Sequence, residues 1–436
     1  MKTVGIIAEY NPFHNGHAYQ IAEAKRITGA DYAVVVMSGD FVQRGTPAIW
    51  DKYTRTRAAL LGGADLVFEL PVLYATASAE YFAEGGVALL TALGVDAICF
   101  GSECGDIDTL ISIAEILTNE SAEFKDALNC SLREGKSYPI AREDALRAHC
   151  AAHGLTLSDD ILSNPNNLLG IEYCKAIRTL HSPLVPYTVQ RVGDSYHEAT
   201  ASEASYCSAT ALRALLFDCV ASVNKTDSLV AESCFSLASD NSNWNHMLIS
   251  QVPTEILSVY QDALHNLPLI ASDDFSELLS YRLLYETAES LSAYSDWNPE
   301  LANRILAQPT VTSGFDQTAS LLKSKQLTLT RANRMLLHLL LHITTEQVLT
   351  AREHGSCFYA RLLGLRQSSS KALRLLSESC PFLIINKLAP AEKDLDGIGA
   401  ELLQQDIRAA ELYRTIQQKK SVLTLPNEYT HGIIRV

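Results

Sequence analysis

The 436 residues predict an α/β fold, a parallel sheet with its helices in the first half of the chain, followed by a mainly α-helical second half. Three observations carry that expectation. Through the first part of the chain short β-branched runs alternate with longer amphipathic stretches, the pattern of strand–helix–strand units on a parallel sheet. From about residue 218 the texture changes to long Leu- and Ala-rich stretches with helical periodicity. The composition, 47% hydrophobic and 19% charged, is that of a folded chain and excludes wholesale disorder. A chain of this length exceeds one ordinary core, so two domains are expected, residues 1–217 and 218–436.

Taken in order, strands are expected at 3–8, 32–37, 65–69 and 96–100, with helices near 16–28, 50–61 and 77–93 between them. Residues 184–191 read as one more strand and 208–217 as the start of a helix. In the second half, helical periodicity marks 276–293, 303–306, 319–327 and 331–352. Right-handed crossovers bring the carboxyl ends of such strands to one edge, where open α/β sheets bind their ligands.

The formal net charge of −15 excludes a protein that coats nucleic acid indiscriminately, since phosphate backbones reward diffuse positive charge. One stretch opposes that balance. Across residues 321–375, nine Lys and Arg side chains face only Glu346 and Glu353. Lys323, Lys325, Arg331 and Arg334 are its candidate phosphate contacts, and a solvated helix surface is the alternative reading. The ten cysteines are scattered, with no C-x-x-C pair, and read as buried packing residues in a reducing compartment. No signal-peptide architecture and no bilayer-length apolar stretch is present, so a cytoplasmic location is expected. No protein partner is evident.

Chemistry concentrates after the first strand, in Glu9-Tyr10-Asn11-Pro12-Phe13-His14-Asn15-Gly16-His17. Pro12 and Gly16 shape a tight turn, and His14 and His17 stand three apart where a helix begins. Two imidazoles beside helix N-terminal amides suit an anion, and donors there can hold the charge that develops when an oxygen attacks the α-phosphate of a nucleotide. Simple capping of the helix is the bland alternative. Zinc is set aside, because His-x-x-His with no third ligand nearby is a poor match, and no metal ligand is assigned. The loop after the second strand offers Asp40 for a hydroxyl or an amine and Arg44 for a phosphate or carboxylate. Gly101 follows the fourth strand, where the backbone is open to a ribose or base. Ser208 and Thr210 open a helix with hydroxyls and set Arg213 one turn in, a layout suited to the distal phosphates.

His14-Asn15-Gly16-His17, between a strand and a helix, is similar to the H-x-G-H signature of the nucleotidyltransferase and class I aminoacyl-tRNA synthetase superfamily. That likeness implies a Rossmann-like, HUP-type nucleotidyltransferase domain. No K-M-S-K-S loop is present, which sets the synthetase branch aside. The run from Gly5 to His17, then Met37 to Gly45, Phe68-Glu69-Leu70-Pro71, Phe100-Gly101-Ser102-Glu103, the segment from Asn164 to Tyr173, Arg191 with Tyr196-His197, and Ser208-Ala209-Thr210 together resemble the bacterial tRNA(Met) cytidine acetate ligases. The resemblance covers the whole α/β half and extends into the second half at Arg361-Leu362-Leu363-Gly364.

What the resemblance implies is a two-step reaction. ATP and acetate give acetyl-adenylate and pyrophosphate. The acetyl group then passes to N4 of the wobble cytidine, C34, of elongator tRNA(Met), giving N4-acetylcytidine. It also implies that the nucleotide lies along Ile7, Ala8, Glu9, Tyr10, Asn11, Pro12, Phe13, His14, Asn15, Gly16, His17, Ala18, Tyr19 and Gln20. Gly101, Arg191 and either Asn166 or its neighbour Asn167 are the further contacts. Acetate is its own nucleophile, so such a site needs positioning and charge stabilisation rather than an enzyme nucleophile. Magnesium is expected to accompany the triphosphate. Two other readings stand beside this one: a nucleotidyltransferase acting on a small phosphorylated acceptor, and an ATP-sensing RNA-binding module without turnover.

Overall fold

A computed structural model describes the chain except for residues 137, 154–156, 159–160, 192–207, 224–248 and 309–313. The strands β1 (Thr3–Ala8), β2 (Tyr32–Ser38), β5 (Leu66–Leu70), β6 (Ala97–Ser102) and β7 (Val185–Gln190) form a parallel array in the order β5-β2-β1-β6-β7. Its central strands are near-continuous apolar runs because both faces of the sheet are covered. A two-residue hairpin, β3 (Phe41–Val42) and β4 (Thr46–Pro47), projects after β2.

Helices α1 (Asn15–Thr28) and α2 (Lys52–Leu61) follow β1 and the hairpin, and α3 (Val72–Ala75) and α4 (Ala79–Ala92) follow β5. Next come α5 (Ile107–Thr118), α6 (Ala122–Arg133), α7 (Tyr138–Ala152), α8 (Pro165–Thr179) and α9 (Ala209–Val223). Local sequence sets these boundaries. Gly29, at φ +67°, ends α1 with its N–H donating to the Lys25 carbonyl, and the Asp51 carboxylate accepts from the Tyr53 and Thr54 amides to start α2. The expected helix at 77–93 begins at Ala79, after the separate turn of α3.

The sheet has two distinct cores. Residues of α4, α5 and α8 cover one face with Ile7, Val34, Val36 and Phe68, whereas α1, α2, α9 and the helix Thr254–Asn266 cover the other with Ile6, Val35, Met37 and Val67. Alternation along each strand therefore assigns each of these helices to a face.

The second half is mainly helical, but it also completes the sheet. β8 (Tyr359–Leu365) pairs antiparallel with β5, and β9 (Leu383–Ile385) and β10 (Ile434–Arg435) pair with β8. The sheet thus draws on both sides of the boundary expected at residue 217. Every residue of β8 is buried, so it lacks the in–out alternation that marks a half-exposed strand. Two expected helices are broken. The stretch 276–293 divides at Glu286 into Ser276–Tyr285 and Ala288–Ser292, the second capped by Thr287. The stretch 331–352 divides at His342, at φ +56°, into Leu329–Leu341 and Thr345–Glu353, where Thr344 and Gln347 form a capping box.

A buried ion-pair quartet ties the added strand to the sheet's carboxyl edge. Lys52 contacts Glu69 at 2.8 Å and Glu428 at 2.8 Å, while Arg361 reaches Glu69 at 3.1 Å and also pairs with Glu428. Two cations and two anions balance, the condition on which buried charge is tolerated. Seven described cysteines are free. Among the described residues, no helix is long and apolar enough to cross a membrane.

Candidate active site

At the carboxyl edge, over β1 and β6, lies a cavity of about 360 Å³. The segment between β1 and α1 forms its floor with Ile7, Ala8, Glu9, Tyr10, Asn11, His14 and His17, and Gln20 extends it along α1. Gly101 and Arg191 line one end, Asn166 the α8 side, and Ser208, Thr210 and Arg213 the start of α9. Pro12, Phe13, Asn15, Gly16, Ala18 and Tyr19, expected along the nucleotide, belong to the same turn and helix without lining the cavity.

Both histidines are locked by backbone N–H groups of this turn. His14 Nδ1 accepts from the Gly16 N–H at 3.1 Å, and His17 Nδ1 accepts from the His14 N–H at 3.2 Å, a reciprocal capping box. The two rings lie against each other at a 30° tilt, centroids 3.8 Å apart. With Nδ1 accepting, the imidazole proton sits on Nε2, so each ring offers one N–H donor to a ligand. Burial, with Arg191 and Arg213 nearby, lowers the His14 pKa to about 3. His17 is held well below its usual value by burial, then by His14 and Arg191. Both are neutral donors near pH 7, not imidazolium ions.

Positive charge comes instead from arginines. Arg44 and Arg191 line the cavity with Arg213, whose guanidinium donates to the Asn11 carbonyl at 2.7 Å and to Thr210 Oγ1 at 3.0 Å. Burial and the neighbouring Arg44 bring the Arg213 pKa down to about 10, which leaves it charged. Ser208 Oγ accepts from the Ala211 N–H and starts α9. Gly45, at φ +75°, holds the Arg44 loop against the helix Leu329–Leu341: a Cβ there would lie 2.3 Å from the Arg334 backbone nitrogen. Only glycine fits that approach.

Arg55 organises the floor and was not anticipated. Fully buried, it donates to the carbonyls of Trp50, Glu9 and Ser38 at 3.0, 2.7 and 3.1 Å, and also to the Gly39 carbonyl. One guanidinium thus clamps the carboxyl ends of β1 and β2. Tyr260 adds a hydroxyl donated to the Phe13 carbonyl at 2.8 Å. Only the adjacency of strand ends in space reveals either role.

Asn166 and Asn167 separate cleanly. Asn167 is buried, and its Oδ1 accepts from the Glu103 and Cys104 amides at 3.0 and 3.1 Å. Asn166 lines the cavity, its Nδ2 donating to Glu103 at 2.6 Å.

Asp40 is not brought together with the histidines. It lines a different cavity with Asp51, Tyr53 and Glu428, and its Oδ1 accepts from the Lys52 N–H at 2.7 Å. Burial raises its pKa to about 7, against the pull of Lys52. Placed there it serves the start of α2, a correction to the catalytic role expected of it.

The basic stretch does not form one continuous face. Lys323, Lys325 and Arg331 are exposed, Arg331 beside Asp296 at 3.0 Å. Arg334 is buried, with its guanidinium on Asp296 at 3.4 Å, which corrects its expected role as a phosphate contact. Arg361 belongs to the ion-pair quartet, and Arg352 pairs with Glu84 at 2.8 Å. Among the described residues, no group of three or more His, Cys, Asp or Glu side chains is placed to hold a metal ion.

Known proteins share this architecture. A family model for HIGH Nucleotidyl Transferase matches residues 1–425. A tRNA(Met) cytidine acetate ligase of Acetivibrio thermocellus is 34% identical over 436 residues, covering 100% of both chains, and that of Lysinibacillus sphaericus is 35% identical with the same coverage. The crystal structure of Thermotoga maritima TmcAL bound with alpha-thio ATP superposes with a TM-score of 0.84 at 26% identity, over 100% of each chain. The apo form of the same protein gives 0.87. Turn, sheet and full-length similarity agree, and the chain belongs to the tRNA(Met) cytidine acetate ligase family of HIGH nucleotidyl transferases.

Proposed function

We propose that this chain is an ATP-dependent acetate ligase that acetylates N4 of the wobble cytidine of elongator tRNA(Met). The observation that carries the reading is the convergence, in one cavity, of two neutral histidine donors and three arginines, with no enzyme nucleophile among them.

The chemistry follows from that arrangement. An acetate oxygen attacks the α-phosphorus of ATP, a phosphorus–oxygen bond forms, and pyrophosphate leaves with the electrons of the bond that breaks. The Nε2–H groups of His14 and His17 hold the charge on the α-phosphate as it builds, and Arg44, Arg191 and Arg213 hold the departing pyrophosphate. The nucleotide lies along Ile7 to Gln20, with Gly101 and Asn166 at its base and ribose end. The cytidine N4 then attacks the acetyl carbonyl, the carbon–nitrogen bond forms, AMP leaves, and the nitrogen gives up a proton.

Magnesium fits this site on the phosphates rather than on the protein. Glu9 is the one carboxylate among the described residues lining the cavity, and its Oε1 already accepts from the Gln43 N–H at 3.0 Å. When bound, the ion neutralises triphosphate charge. Exposed Lys323, Lys325 and Arg331 are the part of the basic stretch open to an RNA backbone.

Acetate-dependent ATP–pyrophosphate exchange tests the first step. Exchange that requires acetate supports the ligase. Exchange driven by a phosphorylated acceptor instead would favour a small-molecule nucleotidyltransferase.

A further inference from the structure

The loop after β6 and the first turn of α8 are joined by reciprocal hydrogen bonds. Glu103 Oε1 accepts from Asn166 Nδ2 at 2.6 Å and from the Asn166 N–H at 3.3 Å, and its Oε2 accepts from the Asn167 N–H at 2.9 Å. In return, Asn167 Oδ1 accepts from the Glu103 and Cys104 N–H groups at 3.0 and 3.1 Å. Each segment thus fixes the other.

The consequence for Asn166 is polarity. Carboxylate oxygens engaged as acceptors can meet only the NH2 end of an amide, so Glu103 decides which way the Asn166 amide points. Asn166 is half-buried and lines the cavity, and Glu103 is not among the described residues that line it. Among the described residues no group donates to Asn166 Oδ1, and that oxygen is not one of the buried atoms without a partner. It is therefore open to the space that Asn166 lines. His14, His17 and the arginines of the same cavity present donors, which suit phosphate oxygens. An ionised phosphate has no hydrogen to give, so an acceptor in this cavity is matched to the nucleoside.

We propose that Glu103 is a positioning residue for the nucleotide: by holding the Asn166 NH2 it presents Asn166 Oδ1 as an acceptor to a donor of the nucleoside, a ribose hydroxyl or the adenine 6-amino group. This deepens the ligase reading above, which puts ATP in this cavity. Glu103 acts through Asn166 and touches no substrate.

The test is ATP binding to the full-length chain by calorimetry, which needs no turnover, with melting curves to check that each variant is folded. Glu103→Gln reverses the polarity: the glutamine NH2 donates to the Asn166 oxygen, the Asn166 NH2 turns to the cavity, and a donor meets a donor. The Kd for ATP rises about tenfold, the scale of one hydrogen bond lost with its partner left unpaired. Combining Glu103→Gln with Asn166→Asp keeps the net charge of the pair and restores the acceptor, because glutamine donates to one aspartate oxygen, keeps its own oxygen for the Asn167 N–H, and leaves the other aspartate oxygen for the cavity. The Kd of this double variant returns to within about threefold of wild type. 2′-Deoxy-ATP, 3′-deoxy-ATP and purine riboside triphosphate each lack one candidate donor. One of them binds wild type about tenfold more weakly than ATP but binds Glu103→Gln as ATP does, and that analogue names the donor. Unchanged ATP affinity in Glu103→Gln overturns the proposal, as does a double variant as weak as Glu103→Gln alone. Equal weakening of ATP and all three analogues by Glu103→Gln also overturns it, tracing the effect to the charge that Glu103 exerts on Arg191. Should Glu103→Gln not fold, wild type decides: equal affinity for ATP and all three analogues overturns the assignment. Wild type that binds ATP without acetate-dependent pyrophosphate exchange removes the ligase reading and leaves this assignment to the binding data, whereas wild type that binds no ATP removes both.

Discussion

Replacing His14 by Asn separates the two things this residue does. Its Nδ1 caps α1 at the Gly16 N–H, and its Nε2–H is the donor offered to the reacting phosphate. Asparagine is among the best N-cap residues, and its Oδ1 can accept in place of Nδ1, so His14→Asn keeps the cap. His14→Ala loses it, at a cost of about 1 kcal/mol. Both variants lose the Nε2–H donor, and removal of one transition-state donor costs about 3–4 kcal/mol, or roughly a hundred- to a thousandfold in rate. Thermal melting should therefore rank His14→Asn near wild type and His14→Ala below it, while acetate-dependent ATP–pyrophosphate exchange falls by a similar factor in both. Near-normal exchange in His14→Asn would refute the reasoning, because it would leave His14 as a helix cap and nothing more.

The remaining predictions probe other parts of the account. His14 has a pKa of about 3 in the fold against about 6.5 unfolded, so the unfolded state binds the extra proton and stability is lost as pH falls below about 6.5. That loss is about 2 kcal/mol at pH 5 for this group, and His14→Asn should narrow the melting difference between pH 8 and pH 5. Asp40 shows the opposite sign: its folded pKa near 7 lies above the unfolded value, so its penalty grows as pH rises to about 7 and stays above it. Asp40→Asn should then melt higher than wild type at pH 8 but not at pH 4, and should keep exchange within about threefold; a hundredfold loss of exchange would restore Asp40 to catalysis. Arg55→Met should lower exchange at least tenfold as the floor loosens, with Arg55→Lys intermediate because one ammonium cannot reach four carbonyls; equal exchange in wild type and both variants would dismiss the clamp. Reversing charge at Lys323, Lys325 and Arg331 should weaken binding of tRNA(Met) and reduce its salt slope by about 0.7 to 0.9 per lost contact, with exchange unaffected. Unchanged slope would move the RNA site elsewhere.

Much of the sheet was legible because it obeys local rules. The five parallel strands carry apolar β-branched runs bounded by polar turns, and each was placed within about two residues. β8 was not, because Tyr359–Leu365 is buried on all sides and an apolar run with no alternation reads equally as a helix segment. The break at His342 had a local signal, Thr344 followed three residues later by Gln347, but the surrounding leucine periodicity ran straight across it. In the site, the turn from Glu9 to His17 announced itself through residue types in a fixed order. Arg55 and Tyr260 did not, since their meaning depends on strand ends and helix faces that meet only in the fold. Asp40 and Arg334 misled for a physical reason. Charge in a sequence says nothing of burial, and both side chains turn inward to partners that neutralise or hold them.

The central claim is that this cavity makes an acyl-adenylate which tRNA then consumes. The most direct measurement is nucleoside mass analysis of tRNA(Met) transcript incubated with the purified chain, ATP and isotopically labelled acetate, beside a transcript carrying uridine at the wobble position. Labelled N4-acetylcytidine in the first transcript and none in the second is the predicted result. Acetate-dependent pyrophosphate exchange without any labelled cytidine, or equal labelling of both transcripts, would contradict it.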